Sequence, residues 1–332
     1  MKNETLMGLW VRRFLLEHLV AERNLSRNTQ ASYRDTLTLL LPFASEHSRR
    51  AVDRMTVEDL TPTIVRKFLD HVENVRGCSG VTRNHRLAAV HSLAKFIGMR
   101  SPLQIAWATE IRSIPFKKTA KNVIGYLERA EMDALLKAPD RRTALGDRDH
   151  AILLFLYNSG ARADEAAGLL IGNLQLKGSP AVRIMGKGSK WRLCPLWPAT
   201  VAALLPLVTG RNETDPVFLG RRNERMTRFG IHRLVAHYAR SASKSTPSLS
   251  VKRVSPHIIR HTTAVHLLRS GVDINTIRAW LGHVSLDTTH VYAEVDMEMK
   301  ATALASVDIK GLPQNPPGRS EMPSLMAFLR GL

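Results

Sequence analysis

Apolar side chains recur at three- and four-residue intervals through most of this chain, and only one stretch alternates. Leu9, Trp10, Phe14, Leu15 and Leu19 predict one amphipathic helix, and Tyr33, Leu37, Leu40 and Leu41 a second that Ser26 can cap. Val65, Phe68, Leu69 and Val72 predict a third, opened by Thr61 with Pro62 in its first turn; Leu87, Val90, Leu93 and Phe96 predict a fourth, opened by Ser79 or Thr82. Residues 1–105 therefore read as a helical domain. From 106 to 122 the periodicity lapses, and Pro115 with Lys117, Lys118 and Lys121 predicts an extended linker. A second domain, 123–310, opens at a helix start near Tyr126 and continues into an apolar helix over 147–157. Gly160 stops that helix and places Arg162 at the start of the next. The alternating stretch follows, with strands at 181–185 and from Trp191 onward, joined by a turn over 186–190. Residues 200–207 and 228–241 return to helical spacing, 241–250 reads as a flexible loop, and 311–332 is a Pro/Gly-interrupted tail. The expectation is a mainly α protein with a small antiparallel β-sheet, in two domains.

Composition adds a partner to this picture. The chain has 332 residues, enough for two cores, and its 48 Lys and Arg against 29 Asp and Glu give a net charge of +19. The excess is divided, +6 over residues 1–105 and +13 over the rest, as expected if both domains grip one polyanion from opposite sides. Arg27, Arg34, Arg83, Arg86 and Lys95 are the candidates for phosphate contacts in the first domain, Lys117 and Lys118 in the linker. The charges are scattered and no apolar run is long enough to span a bilayer, so a membrane is not the expected partner. The opening MKNETLMGLW lacks a signal-peptide pattern, so a cytoplasmic protein is expected. Cys78 and Cys194 are too few for a disulfide scaffold and are expected as reduced thiols.

The densest chemistry lies between residues 255 and 292. His257 and Arg260 are three apart and share one face of a helix predicted over 257–269, whose Ala264, Val265, Leu267 and Leu268 face a core. Gly271 stops that helix and Asp273 caps the next, in which Ile274, Ile277, Trp280 and Leu281 keep helical spacing; Gly282 ends it, His283 follows, and Tyr292 lies just beyond. Imidazoles, a guanidinium and a phenol gathered at helix ends suit attack on a phosphate. His257 and His261 stand four apart, a spacing that can hold a metal, but the His-Glu-x-x-His pattern is missing and no metal or cofactor is expected. Glu165, one turn after Arg162, can hold that guanidinium in place.

The motif His257-x-x-Arg260-His261-Thr262, then Leu281-Gly282-His283, then Thr289-x-x-Tyr292, resembles the C-terminal signature of the tyrosine recombinases, the family of phage integrases and the Xer, Cre and Flp enzymes. Upstream, the stretch from Tyr157 through Arg162 to Glu165 resembles that family's first-arginine motif, and Gly186-Lys187-Gly188-Ser189-Lys190 its hairpin-lysine motif. The resemblance covers about residues 8–310. It implies an N-terminal helical core-binding domain, a catalytic domain carrying Arg162, Lys187, His257, Arg260, His283 and Tyr292, and double-stranded DNA as substrate. Lys187 would enter the minor groove beside the scissile phosphate, with Lys190 and Arg192 on the DNA backbone or in solvent. It further implies strand exchange through a 3′-phosphotyrosine in a homo- or hetero-tetramer, serving a mobile element or the resolution of replicon dimers. Residues 297–306, with Met297, Ala301, Leu304 and Ala305 in a stripe, would be the helix passed to a neighbouring protomer. Two other classes are a relaxing enzyme like the type IB topoisomerases and a DNA-binding accessory factor without catalysis; the complete nucleophile, acid and arginine set disfavours the second.

Overall fold

The computed structural model describes residues 6–119, 125–186, 188 and 190–282. Lys121, Lys187, His283, Tyr292 and the segments 297–306 and 311–332 therefore lie outside the described residues. Two compact units divide the chain between Asn122 and Val123.

The first unit is helical throughout: α1 (Met7–Arg13), continued by a wider turn over Phe14–Glu22, then α2 (Arg27–Ser48), α3 (Pro62–Asp70), α4 (Gly80–Arg100) and α5 (Ile105–Arg112). Ser26, Thr61 and Ser79 cap α2, α3 and α4, each side chain accepting the backbone N–H three residues on and so satisfying one of the four amides that a helix start leaves unpaired. Trp10, Phe14, Leu37, Leu40, Phe68, Leu87 and Phe96 close the core. The extended linker expected from residue 106 does not begin there. Trp107, Ala108 and Ile111 recur on one face of α5 and are buried in this core, and the Trp107 indole donates to the Leu60 carbonyl at 2.8 Å. Burial of those three side chains outweighs the local signal of Pro115 and the lysines.

The second unit comprises α6 (Arg129–Lys137), α7 (Ala144–Ser159), α8 (Ala163–Ala167), the strands β1 (Leu174–Gln175), β2 (Ala181–Met185) and β3 (Trp191–Pro195), then α9 (Pro198–Val208), α10 (Arg228–Ala242), α11 (Pro256–Arg269) and α12 (Ile274–Leu281). The sheet is antiparallel in the order β1-β2-β3, with Met185 opposite Trp191 at the hairpin end. α7 is the central element. Residues 151–159 are all buried, so its apolar run wraps the whole cylinder, as a helix surrounded by others requires. The expected loop at 241–250 is partly ordered, with a 3₁₀ turn over Pro247–Val251 that buries Leu249. α11 and α12 form a smaller cluster through Ala264, Val265, Leu268, Ile277 and Leu281. Among the described residues no helix is long and apolar enough to cross a membrane.

Candidate active site

Three helix ends and one strand build the site. α7 stops at Gly160, whose backbone is left-handed (φ +57°), and two residues later Arg162 begins α8. α11 starts at Ser255, which caps it, with Pro256 in its first turn; His257 follows, and Arg260 lies one turn further in. Asp273 caps α12 through the amides of Asn275 and Thr276, and Gly282 ends it with φ +67°.

Arg260 is 1% exposed, an unusual depth for a charged side chain. Its Nη1 donates to the Gly160 carbonyl at 2.6 Å and its Nη2 to the Leu281 carbonyl at 2.6 Å. These oxygens sit at the C-terminal ends of α7 and α12, where carbonyls lack intrahelical partners and the helix dipole is negative. Two helix ends thus help to hold a buried positive charge. Glycine suits that junction, because its backbone is left-handed and a Cβ there would meet Leu281 Cδ2 at 2.3 Å, forcing that side chain to move.

Arg162 stays at the surface, its side chain 39% exposed, with Nη1 donating to Glu165 Oε1 at 2.6 Å. The Arg162 amide donates to the second carboxylate oxygen at 3.0 Å, so Glu165 fixes both the helix start and the guanidinium. Arg192 binds the same carboxylate, donating from Nη2 to Glu165 Oε2 at 2.8 Å and from Nε to the Trp280 carbonyl at 3.0 Å. Burial pushes the Glu165 carboxyl up, but the hydrogen bond and charge of Arg192 and the bonds from Arg162 overcome it, leaving it below the ordinary glutamate range. The hairpin turn opens beside this group: Gly186 donates its amide to the Lys190 carbonyl at 2.8 Å, and a Cβ on Gly186 would stand 3.5 Å from both Glu165 and Arg192.

His257 and His261 meet edge to face with ring centroids 4.3 Å apart. Partial burial, and then the charges of Arg260, Arg162 and His232, hold His257 below the ordinary histidine value. Burial, with His257 and Arg260 beside it, pushes His261 down to about 4. His257 is therefore a neutral imidazole at neutral pH, able to accept a proton next to two arginines. His232, on α10, was not a sequence candidate; nothing in its own stretch distinguishes it from a solvated surface histidine.

Of the six expected catalytic residues, the structure gathers Arg162, His257 and Arg260; Lys187, His283 and Tyr292 lie outside the described residues. Two other phenols are committed elsewhere. Tyr157 is 5% exposed, 2.7 Å from His266 Nδ1 and 3.0 Å from Arg129 Nη1, while Tyr238 donates to Asp149 at 2.9 Å and is pushed up to about 12 by burial and that carboxylate.

The expected phosphate contacts divide. Arg27, Lys95, Lys118 and Lys190 are exposed. Arg34 pairs with its neighbour Asp35, and Lys117 with Glu73, both from exposed positions. Arg83 and Arg86 are half-buried and used internally, Arg83 donating to the Pro115 carbonyl and Arg86 to Thr36 Oγ1 on α2. Arg192 does not point to DNA or solvent as expected: its side chain is 7% exposed and turns inward to Glu165.

Residues 125–299 match the phage integrase family, and residues 12–100 match the N-terminal SAM-like domain of phage integrases. The chain is 38% identical over 294 residues to the Sinorhizobium fredii protein named "Putative integrase/recombinase y4rC", covering 88% of this chain and 89% of that one. It is 34% identical over 300 residues to the tyrosine recombinase XerC of Pelobacter propionicus, covering 87% and 91%. Among solved structures, the Tn1549 transposon integrase in complex with circular intermediate DNA superimposes with a TM-score of 0.67 at 15% identity, covering 91% of this chain and 99% of that one.

Proposed function

Because the chain belongs to the phage integrase family, the tyrosine-type site-specific DNA recombinases, we propose that Tyr292 is its nucleophile and that Arg162, Lys187, His257, Arg260 and His283 complete the catalytic set on double-stranded DNA. A phosphodiester resists attack because its charge repels nucleophiles, and the five-coordinate transition state carries more charge still. Arg162 and Arg260 donate to the non-bridging oxygens, with His283 as a third donor. The Tyr292 phenol, with an ordinary pKa of about 10, passes its proton to the neutral His257 as it attacks phosphorus. The bond to the 5′ oxygen breaks, and that oxygen takes a proton from Lys187. The 3′-phosphotyrosine keeps the bond energy, so attack by a 5′-hydroxyl of another strand rejoins the DNA without ATP or a metal.

A neutral His257 flanked by a buried Arg260 and a surface Arg162 carries this reading. Strand exchange follows in a tetramer of this chain, or of this chain with related recombinases, by way of a Holliday junction. A nicked suicide substrate tests the chemistry. The wild-type protein should form a denaturation-resistant adduct, and Tyr292→Phe should form none while binding the site as before. An adduct in the Phe variant overturns the assignment.

A further inference from the structure

We propose that Arg192 is a positioning residue for the reaction, one that sets the Arg162 guanidinium for the phosphate through the Glu165 carboxylate they share and ties that setting to the end of α12. This rests on the reading of Arg162 as a phosphate-binding residue. Three elements meet at Arg192. It stands on β3, four residues past the hairpin's Gly188; its Nη2 reaches Glu165 Oε2 at 2.8 Å; its Nε reaches the Trp280 carbonyl at 3.0 Å, two residues before Gly282 ends α12. The fit is close, since a Cβ on Gly282 would sit 3.0 Å from Arg192 Cδ. Neither Arg192 nor Glu165 is accessible, their side chains being 7% and 6% exposed, whereas Arg162 is 39% exposed.

Charge explains why two guanidiniums should share one carboxylate. With Arg192 bound to Oε2, the Glu165 charge is answered from inside, and the charge of Arg162 remains available to an anion arriving from outside. Without Arg192, Arg162 alone answers Glu165, and an incoming phosphate must compete with a buried carboxylate for it. Lysine keeps the charge but replaces the planar fork, whose Nη2 and Nε reach Glu165 and the Trp280 carbonyl separately, with one compact ammonium on a flexible stem.

The test uses the full chain and a nicked substrate carrying either the natural phosphodiester or a methylphosphonate, which has lost the negative charge at the scissile phosphorus. Single-turnover cleavage, half-site binding and thermal unfolding are measured for wild type, Arg192→Met, Arg192→Lys and Arg162→Ala. Arg192→Met should slow phosphodiester cleavage about 10- to 100-fold, the scale on which losing a group that orients a metal ligand acts, with half-site binding unchanged. On the methylphosphonate its deficit should shrink to about threefold or less, since the charge Arg162 serves is gone. Arg192→Lys should fall between, and it carries the test if the Met variant does not fold. Equal slowing on both substrates, or a loss explained by weaker binding, would overturn the proposal. If Arg162→Ala itself fails to discriminate between the substrates, the phosphate role of Arg162 is wrong and the proposal goes with it. If Arg162→Ala discriminates and the Arg192 variants do not, only the role of Arg192 is lost.

Discussion

Gly160 and Leu281 touch where α7 and α12 end, at a separation that leaves no room for a Cβ on residue 160. Gly160→Ala meets two costs there: a left-handed backbone at φ +57° and a contact of 2.3 Å that must be relieved by moving the Leu281 side chain. Together these should destabilise the second unit by about 1–3 kcal/mol, read as a lower melting temperature. Cleavage should fall further than stability, because the carbonyls of these two residues hold Arg260. An unchanged melting temperature would show that the junction is looser than described.

Acid should begin to weaken the fold at pH values above those at which the carboxylates titrate. His257 and His261 are held below the ordinary histidine value of about 6.5, so between that pH and about 4 the unfolded chain binds more protons than the folded one. Stability then falls as pH drops from about 6.5, with the loss complete near the folded value for His261. Urea midpoints measured from pH 7 to pH 4.5 should decline, and His261→Gln should flatten the decline. The acid limb of single-turnover cleavage should lie below pH 6.5, since His257 stays neutral there. A limb above that value would remove His257 from the proton-accepting role.

Lys187→Ala should slow cleavage strongly. A substrate with sulfur in place of the bridging 5′ oxygen should restore the rate, because a thiolate leaves without needing a proton. Equal slowing on both substrates would pass the acid role to the exposed Lys190.

Salt should loosen the complex steeply. A net charge of +19 spread over both units implies many phosphate contacts, and affinity should fall on the order of 10³-fold or more between 50 and 200 mM salt. A nearly flat titration would contradict a clamp of many phosphate contacts made by both units.

Some helix caps were legible because they depend on local chemistry: Ser26, Thr61 and Asp273 each precede an apolar run and each accepts a backbone amide, and of the alternatives Ser79 and Thr82 it is Ser79 that does so. The pairing of Arg162 with Glu165 was legible for the same reason, being one helical turn in length. α5 carried a signal in the spacing of Trp107, Ala108 and Ile111, which the prolines and lysines around it obscured. Arg192 was hidden for a different reason. β3 turns its apolar residues outward, with Trp191 and Leu193 50% and 64% exposed, and turns Arg192 and Cys194 inward, the reverse of what alternation suggests. Only the distant Glu165 and Trp280 make that reversal favourable, and no local pattern contains them.

Two arginines from different elements terminate α12, Arg192 on the Trp280 carbonyl and Arg260 on the Leu281 carbonyl. A helix of eight residues is among the first parts of a fold to open. When it opens, both arginines lose an anchor in the same event, and Arg260 keeps only Gly160 among these two carbonyls. Damage to this corner therefore loosens both arginines together, leaving Arg260 on the Gly160 carbonyl and Arg192 on Glu165. The two guanidiniums thus share one point of failure at the end of α12.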